Sequence, residues 1–372
     1  MTHPSPMPHA SPGEARRVLA ALSGGVDSAV AAALLVEAGY EVIAISMLLA
    51  GNTEGHDGGC CSIDDFQDAR RVAEQLGIPY YVLNLKDAFR SRVIDVFTTE
   101  YLRGRTPNPC LLCNRDLKFD LLWQRARELD AHYVATGHYA RVVHDQTTGH
   151  YQLLRGVDER KDQSYFLFTL SQAQLARTLF PVGHLTKAEV RDKARSLGLK
   201  VAEKPESQDI CFVPDGDYAR FIEQQLSTEQ LQPGEVVDQD GQVIGSHDGI
   251  HHFTIGQRRG LGLGGLPKPQ YVTRIDAQSK RVVVGTKDRL MTRGLIASGV
   301  NWVEGGQAHE ISVSVKIRYR HPALPARVAP QAEGKAEVWF QQSSPAVTPG
   351  QAAVFYDGER VLGGGWIERA LS

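Results

Sequence analysis

The sequence predicts an α/β chain: a doubly wound parallel sheet, then a small connecting domain, then a C-terminal β-barrel. Three observations predict it. Apolar runs alternate with segments of helical spacing from Val18 to Thr136, the pattern of a parallel sheet with crossover helices. A glycine turn, Ser23-Gly24-Gly25-Val26-Asp27-Ser28, joins the first apolar run to the first helix. From Gly234 onward the texture changes to short strands and glycine-rich turns, which suits a small barrel. A chain of 372 residues exceeds what one core usually serves. Boundaries near Asp215 and Leu290 give a tail over 1–14, a first domain over 15–214, a connecting domain over 215–289 and a barrel over 290–372.

Taken in order, Val18-Leu19-Ala20-Ala21-Leu22 is a strand and Ala29 to Ala38 a helix ended by Gly39. Glu41 to Leu49 is rich in Val, Ile and Leu and reads as a buried parallel strand. Gly51 to Gly59 is a loop, and Ile63 to Leu76 a helix ended by Gly77-Ile78-Pro79. Tyr80 to Leu85 is a strand, Ala88 to Leu102 and Asn114 to Leu129 are helices, and His132 to Thr136 is a strand. Arg141 to Arg155 reads as a hairpin around Gln146-Thr147-Thr148-Gly149. Lys161 to Leu167 is a loop with a helix start, and Thr186 to Leu197 a helix ended by Gly198. Asp217 to Leu231 is a short helix, and Val272 to Ile275 pairs with Arg281 to Val284 as a hairpin. The barrel strands include Ile311 to Tyr319, Ala336 to Phe340 and Ala352 to Tyr356.

Composition excludes several classes. No apolar run approaches 18 residues, so no spanning helix is expected. Met1 to Pro12 is rich in Pro, His and Ser and lacks the basic and apolar regions of a signal peptide, so a disordered tail and a cytoplasmic protein are expected. The net charge of −2 announces no global attraction to nucleic acid; any RNA site must be a local patch. Five cysteines do not make a disulfide framework.

Chemistry concentrates at two places. The glycine turn offers helix amides and a dipole to an anion, serine hydroxyls as further donors, and Asp27 as a holder of a magnesium ion bridging phosphates; an ordinary capped turn is the alternative. No G-x-x-x-x-G-K-[ST] pattern occurs. Met47 and Gly137 lie on the same carboxyl rim of the sheet, where open α/β sheets bind ligands. The second place is Gly104 to Asn114, where two prolines stiffen the chain and Cys110-Leu111-Leu112-Cys113 puts two thiols on one helical turn. Half of a zinc site is one reading, but no second pair follows, and Cys60-Cys61 is adjacent rather than spaced. Cys211, taken alone, is a small buried hydrophobe.

The hexapeptide Ser23 to Ser28 resembles the PP-loop of the ATP pyrophosphatases. With it, G-R-T-P-N-P-x-x-x-C-N, T-G-H-Y-A, K-D-Q-S-Y-F-L, S-Q-D-I-C-F, Gly249 to Gly260 and Lys316-Ile317-Arg318-Tyr319-Arg320 are similar to the bacterial tRNA-specific 2-thiouridylases, from about Val18 to the C-terminus. The resemblance implies a PP-loop domain, a connecting domain and a barrel. It implies an enzyme that adenylates the C2 oxygen of the wobble uridine in tRNAs for Lys, Glu and Gln, then replaces it with sulfur and releases AMP and pyrophosphate. ATP and Mg2+ are expected, with Ala21, Leu22, Ser23, Gly24, Gly25, Val26, Asp27, Ser28, Met47 and Gly137 around the nucleotide. Asn108, Pro109 and Cys110 are expected at the target base. His138, Lys161, Asp162, Gln163, Arg318, Tyr319 and Gln351 are expected to touch tRNA. Cys211 is implied to carry a persulfide from a donor protein, and Cys113, set at a helix start, to attack it and leave a transient disulfide. The better-known form of the family has Asp where this chain has Cys110, so Cys110, Cys113 and Cys211 are also candidate ligands of a [4Fe-4S] cluster. A monomer is expected. A PP-loop ligase or amidase acting on a small carboxylate, and a non-catalytic RNA-binding protein with a nucleotide-sensing domain, are the competing classes.

Overall fold

Five parallel strands make the first sheet: β1 (Arg17–Ala21), β2 (Glu41–Leu48), β3 (Tyr80–Asn84), β4 (Tyr133–Ala135) and, after the hairpin β5 (Ala140–His144) and β6 (Tyr151–Arg155), the short β7 (Thr178–Leu179). The computed structural model describes residues 16–49, 63–205, 210–213, 215–227, 230–264 and 268–371. The strand order is β3-β2-β1-β4-β7. The chain winds outward from β1 to β3 and then returns to the other side of β1. That reversal opens a crevice at the carboxyl ends of β1 and β4, the place where such sheets bind ligands.

Both faces of the sheet are covered. Helix α1 (Val26–Glu37) buries an almost unbroken row of small residues, Ala29 and Ala31 to Ala33 among them, so it lies close against the strands. The other face takes Leu122 and Ala126 against Leu19, Ile43 and Val134. Helix α2 (Ile63–Leu76) lies where the sequence places it. The segment expected as one helix to Leu102 is α3 (Lys86–Phe89), a π-helical stretch Arg90–Ile94, and α4 (Asp95–Leu102). The helix expected from Asn114 instead starts at Pro109: α5 (Pro109–Leu112) runs through a π-helical stretch Cys113–Leu121 into α6 (Leu122–Glu128). The reason is local. Pro109 has no amide to lose at the first helical position, and the Asn108 side chain accepts from the Cys110 amide at 3.1 Å.

Past α7 (Gln172–Leu175), helix α8 (Lys187–Ser196) opens on a reciprocal box between Thr186 and Glu189. Helix α9 (Tyr218–Gln225) stops six residues short of Leu231 (231 − 225), because Ser227 begins a new turn closed by Gln230. The connecting part is a four-stranded sheet of β8 (Gly234–Val237), β9 (Val243–His247), β10 (Tyr271–Asp276) and β11 (Arg281–Gly285), with β10 and β11 paired as expected.

The last sheet holds β12 (Met291–Trp302), β13 (Ile311–Lys316), β14 (Leu324–Gln331), β15 (Lys335–Pro345), β16 (Ala352–Asp357) and β17 (Arg360–Leu371). Pairing of β17 back to β12 closes these six into a barrel. The strand expected to reach Tyr319 ends at Lys316, since the His321 amide bonds the Arg318 carbonyl at 3.1 Å and turns the chain. The β5–β6 hairpin, which leaves the first sheet, pairs with β17 through Leu153 and Leu154 and so extends the barrel's sheet. The expected tail over 1–14, the loop Gly51 to Gly59, Cys60, Cys61 and Ser207 to Asp209 lie outside the described residues.

The hairpin is anchored where Gly183 meets it. A Cβ at Gly183 would stand 1.7 Å from the Ala140 carbonyl oxygen. Gly183→Ala is therefore expected to cost about 1–3 kcal/mol by overpacking, read as a lower urea midpoint; an unchanged midpoint would show that β5 yields freely.

Candidate nucleotide and thiol site

The β1–α1 turn is built by sterics before any ligand is considered. Gly24 sits at φ 75°, and a Cβ there would lie 2.3 Å from the Asp65 carbonyl oxygen. The Ser28 hydroxyl donates to the Gly25 carbonyl at 3.0 Å and accepts the Ser23 amide at 3.1 Å, closing the loop. Among the described residues no side chain caps α1, so its first-turn amides and the positive end of its dipole suit an anion. Gly137, leaving β4, packs against this turn: a Cβ there would be 2.7 Å from the Ser28 nitrogen.

A cavity of about 220 Å³ lies over the turn. Of the residues expected around a nucleotide, Ala21, Leu22, Ser23, Asp27, Ser28, Met47 and Gly137 line it, while Gly24, Gly25 and Val26 form the turn behind. The sequence reading missed Ser46, Leu49, Asp65, Phe66, Lys118 and Thr136 on its walls. His138 and Gln163, expected on tRNA, line this cavity as well.

Asp27 already has partners in the protein. Its two carboxylate oxygens accept from Lys187 Nζ at 2.7 and 2.8 Å, and one also accepts from the Tyr139 hydroxyl at 2.7 Å. Lys187 is the first residue of α8, 160 positions from Asp27 (187 − 27). The Thr186-x-x-Glu189 box announces the helix but not this partner. Lys118 adds a second cation to the rim. Burial, and then the charge of Lys118, hold His138 well below the ordinary histidine pKa. Its ring is neutral, bonded to the Thr136 hydroxyl through Nδ1 at 2.6 Å and set between Phe119 and Phe180.

The thiols lie beside this cavity. Cys113 is buried in an apolar cluster with Leu49, Phe89, Phe97, Tyr101, Leu112, Leu117 and Phe212, and Cys211 and Met47 pack against the same cluster. Met47 and Leu49 thus belong both to the cavity wall and to the thiol cluster. No disulfide joins Cys110, Cys113 and Cys211. One expectation is corrected: Cys113 is the fifth residue of its helix, and the first turn, where the dipole acts, holds Cys110, which is exposed. Pro109 is buried and Asn108 caps the helix.

Of the residues expected to touch tRNA, His138 and Asp162 are buried, and Lys161, Gln163, Arg318, Tyr319 and Gln351 are half-buried. Asp162 is 4% exposed and accepts the Gly156 and Ser164 amides. The Gln163 side chain accepts the Tyr139 amide at 3.1 Å. Arg318 donates to the Ile255 and Ala346 carbonyls at 3.1 Å, tying the connecting part to the barrel. Gln351 donates to the Thr106 carbonyl at 2.8 Å, tying the barrel to the Gly104 to Asn114 segment. Tyr319 packs its ring on Tyr165 and Phe166, and Lys161 lies in the turn before the 3₁₀ segment Ser164–Phe166. Polar side chains in a motif look like ligand contacts in sequence, yet burial demands that each first find a partner in the fold.

Three family models match the chain in series: a tRNA methyl transferase HUP domain over residues 16–215, a tRNA methyl transferase PRC-barrel domain over 219–286, and an aminomethyltransferase beta-barrel domain over 292–367. The chain is 56% identical to the tRNA-specific 2-thiouridylase MnmA of Geotalea uraniireducens (strain Rf4), over 96% of each chain. It is 53% identical to the protein of that name from Geobacter metallireducens, over 96% of this chain and 98% of that one. The relative from Solibacter usitatus is 52% identical over 94% of this chain and 99% of its own length. Matched at this level along nearly its whole length, with an uncapped glycine turn beside paired thiols, the chain belongs to the tRNA-specific 2-thiouridylase family.

Proposed function

We propose that the chain is an ATP-dependent tRNA uridine 2-sulfurtransferase. The observation that carries this reading is the shared wall: Met47 and Leu49 separate an anion-binding turn from the cluster that brings Cys113 and Cys211 together across 98 positions (211 − 113). A methyl transferase would need neither the uncapped helix nor the thiols. The C2 oxygen of uracil is a poor leaving group, and transfer of AMP to it makes it a good one. ATP enters as its magnesium complex. The α1 amides, Lys118 and Lys187 meet its phosphates and the charge that develops on them. The buried, neutral His138 and the packed Phe119 and Phe180 keep water from the far wall.

In the sulfur step, Cys211 carries a persulfide received from a donor protein. The Cys113 thiolate attacks the Cys211 sulfur, the terminal sulfur leaves as hydrosulfide and adds at C2, and AMP departs with its oxygen. A Cys113–Cys211 disulfide remains and must be reduced. A second reading rests on Cys110 and Cys113, three positions apart on one helix face, with Cys211 packed on the same cluster. These three thiolates would then hold an iron–sulfur cluster, which supplies a site for sulfide. The enzyme works in the cytoplasm as a monomer, with the three parts dividing at 15–214, 215–289 and 290–372. Asn108, Pro109 and Cys110 border the target base, and tRNA lies along the face carrying Lys161 and Tyr319.

Two outcomes follow. With tRNA, ATP and a sulfide source, the products should be AMP, pyrophosphate and 2-thiouridine; ADP with phosphate, or a methylated base, would overturn the reading. Asp27→Asn, which loses the charge facing Lys187, should lower kcat/KM by about 10²-fold or more, as loss of a charged positioning contact does, a larger loss than the modest drop in urea midpoint accounts for. For the thiols, anaerobic purification decides. A colourless, active enzyme that forms the Cys113–Cys211 disulfide after one turnover supports the relay. Stoichiometric iron and acid-labile sulfide, lost with activity in Cys110→Ala, would replace it by the cluster.

A further inference from the structure

Away from the nucleotide and thiol site, three side chains converge where α9 meets the 3₁₀ turn Ile250–His252. Glu223 Oε1 lies 3.2 Å from His251 Nε2 and 3.1 Å from His252 Nε2. Among the described residues, this is the only group of three or more His, Cys, Asp or Glu side chains whose ligand atoms all lie within 4.8 Å of one another. We propose that Glu223, His251 and His252 form a binding site for a divalent transition-metal ion of the zinc type.

The distances carry the geometry. Zinc–nitrogen and zinc–oxygen bonds of about 2.0–2.1 Å at tetrahedral angles place ligand atoms about 3.3 Å apart along each edge. Two of the three edges, 3.1 and 3.2 Å, are close to that value, and the third, between the two histidines, is within 4.8 Å, so an ion enters by movement of the rings. Two imidazoles and one carboxylate are a donor set suited to zinc, cobalt or nickel rather than to magnesium or calcium. Glu223 and His252 are 37% and 36% exposed at the side chain, which leaves the fourth position to water.

The site is held before any ion arrives. His251 is 2% exposed, and its ring lies against Gly249, where a Cβ would be 2.3 Å from its Cε1 atom. Asp217 caps α9 through the Arg220 amide, which fixes the helix that carries Glu223. Tyr218 donates to the His252 carbonyl at 3.4 Å and stacks on Tyr101. A third histidine, His247, has a buried Nδ1 with no hydrogen-bond partner among the described residues. Bound metal would clamp the connecting part to α9, whose Phe221 and Ile222 pack into the cluster with Cys211.

The test needs neither ATP nor tRNA. Chelator-stripped full-length protein, with its cysteines alkylated, is titrated with Co2+ and followed by its visible d–d bands, then with Zn2+ to displace them. One equivalent with tetrahedral bands, lost in both Glu223→Gln and His252→Gln, is expected. Zn2+ should also raise the Tm of the unmodified protein and not that of the variants. His252 is partly exposed, so His252→Gln should keep the far-UV spectrum of the parent and separate lost binding from lost folding. Binding unchanged in both variants, or no binding at one equivalent, would show a hydrogen-bonded packing triad and overturn the proposal.

Discussion

Most of the site hangs on one ion pair. Lys187, 12% exposed at its side chain, meets Asp27 at 2.7 Å, and the Tyr139 hydroxyl completes the carboxylate's partners. These three residues come from α8, from the start of α1 and from the crossing between β4 and β5. Removing one member of a fully buried pair costs about 3–5 kcal/mol. Asp27 is 31% exposed, so solvent screening makes its share here smaller. Position matters more than the energy. The pair fixes α8 over the anion-binding turn and holds a cation at its mouth whether or not a ligand is there.

From that knot the rest follows by packing. Gly137 can approach the Ser28 nitrogen only because it has no side chain, and this brings β4 to the turn. The same rim continues through Met47 and Leu49 into the aromatic cluster around Cys113. Phe212 stands at its centre, with rings of Phe89, Phe97 and Phe221 at 5.6, 5.3 and 5.0 Å. An aromatic neighbour directly after Cys211 therefore pulls a distant segment onto the sheet and delivers the second thiol. The cavity and the thiol cluster share one hydrophobic partition.

The sequence exposed what depends on neighbours along the chain. The helix over Ile63–Leu76 and the strands β1 to β4 follow from periodicity and from Gly and Pro punctuation, whereas the two-residue β7 is too short to show a period. The Ser23 to Ser28 turn was legible because glycine and serine at that spacing have few other uses. The start of the Cys110 helix was misread, since two prolines in six residues look like a loop, yet Pro109 suits a first helical position. Lys187 was not legible, because nothing local marks a lysine whose partner lies on another helix. The internal partners of Arg318 and Gln351 were not legible for the same reason: their acceptors, Ile255, Ala346 and Thr106, come from other parts of the chain. The closure of β17 onto β12, and the borrowed hairpin, are non-local pairings that periodicity does not encode.

The borrowed hairpin also bears on how the protein is made. Leu154 of β6 leaves the ribosome 206 residues before Arg360 of β17, its partner in the barrel sheet (360 − 154). At about 5–20 residues per second, that is a wait of about 10–40 s. During it, the nascent first sheet carries a two-stranded ribbon with an open edge, and such edges invite foreign strands. The last strand synthesised is the one that covers it. Translation speed across the barrel, and any chaperone that shields the ribbon meanwhile, thus belong to the folding problem of the first domain, whose Leu153 and Tyr165 share a core cluster with Val354 and Tyr356 of the barrel.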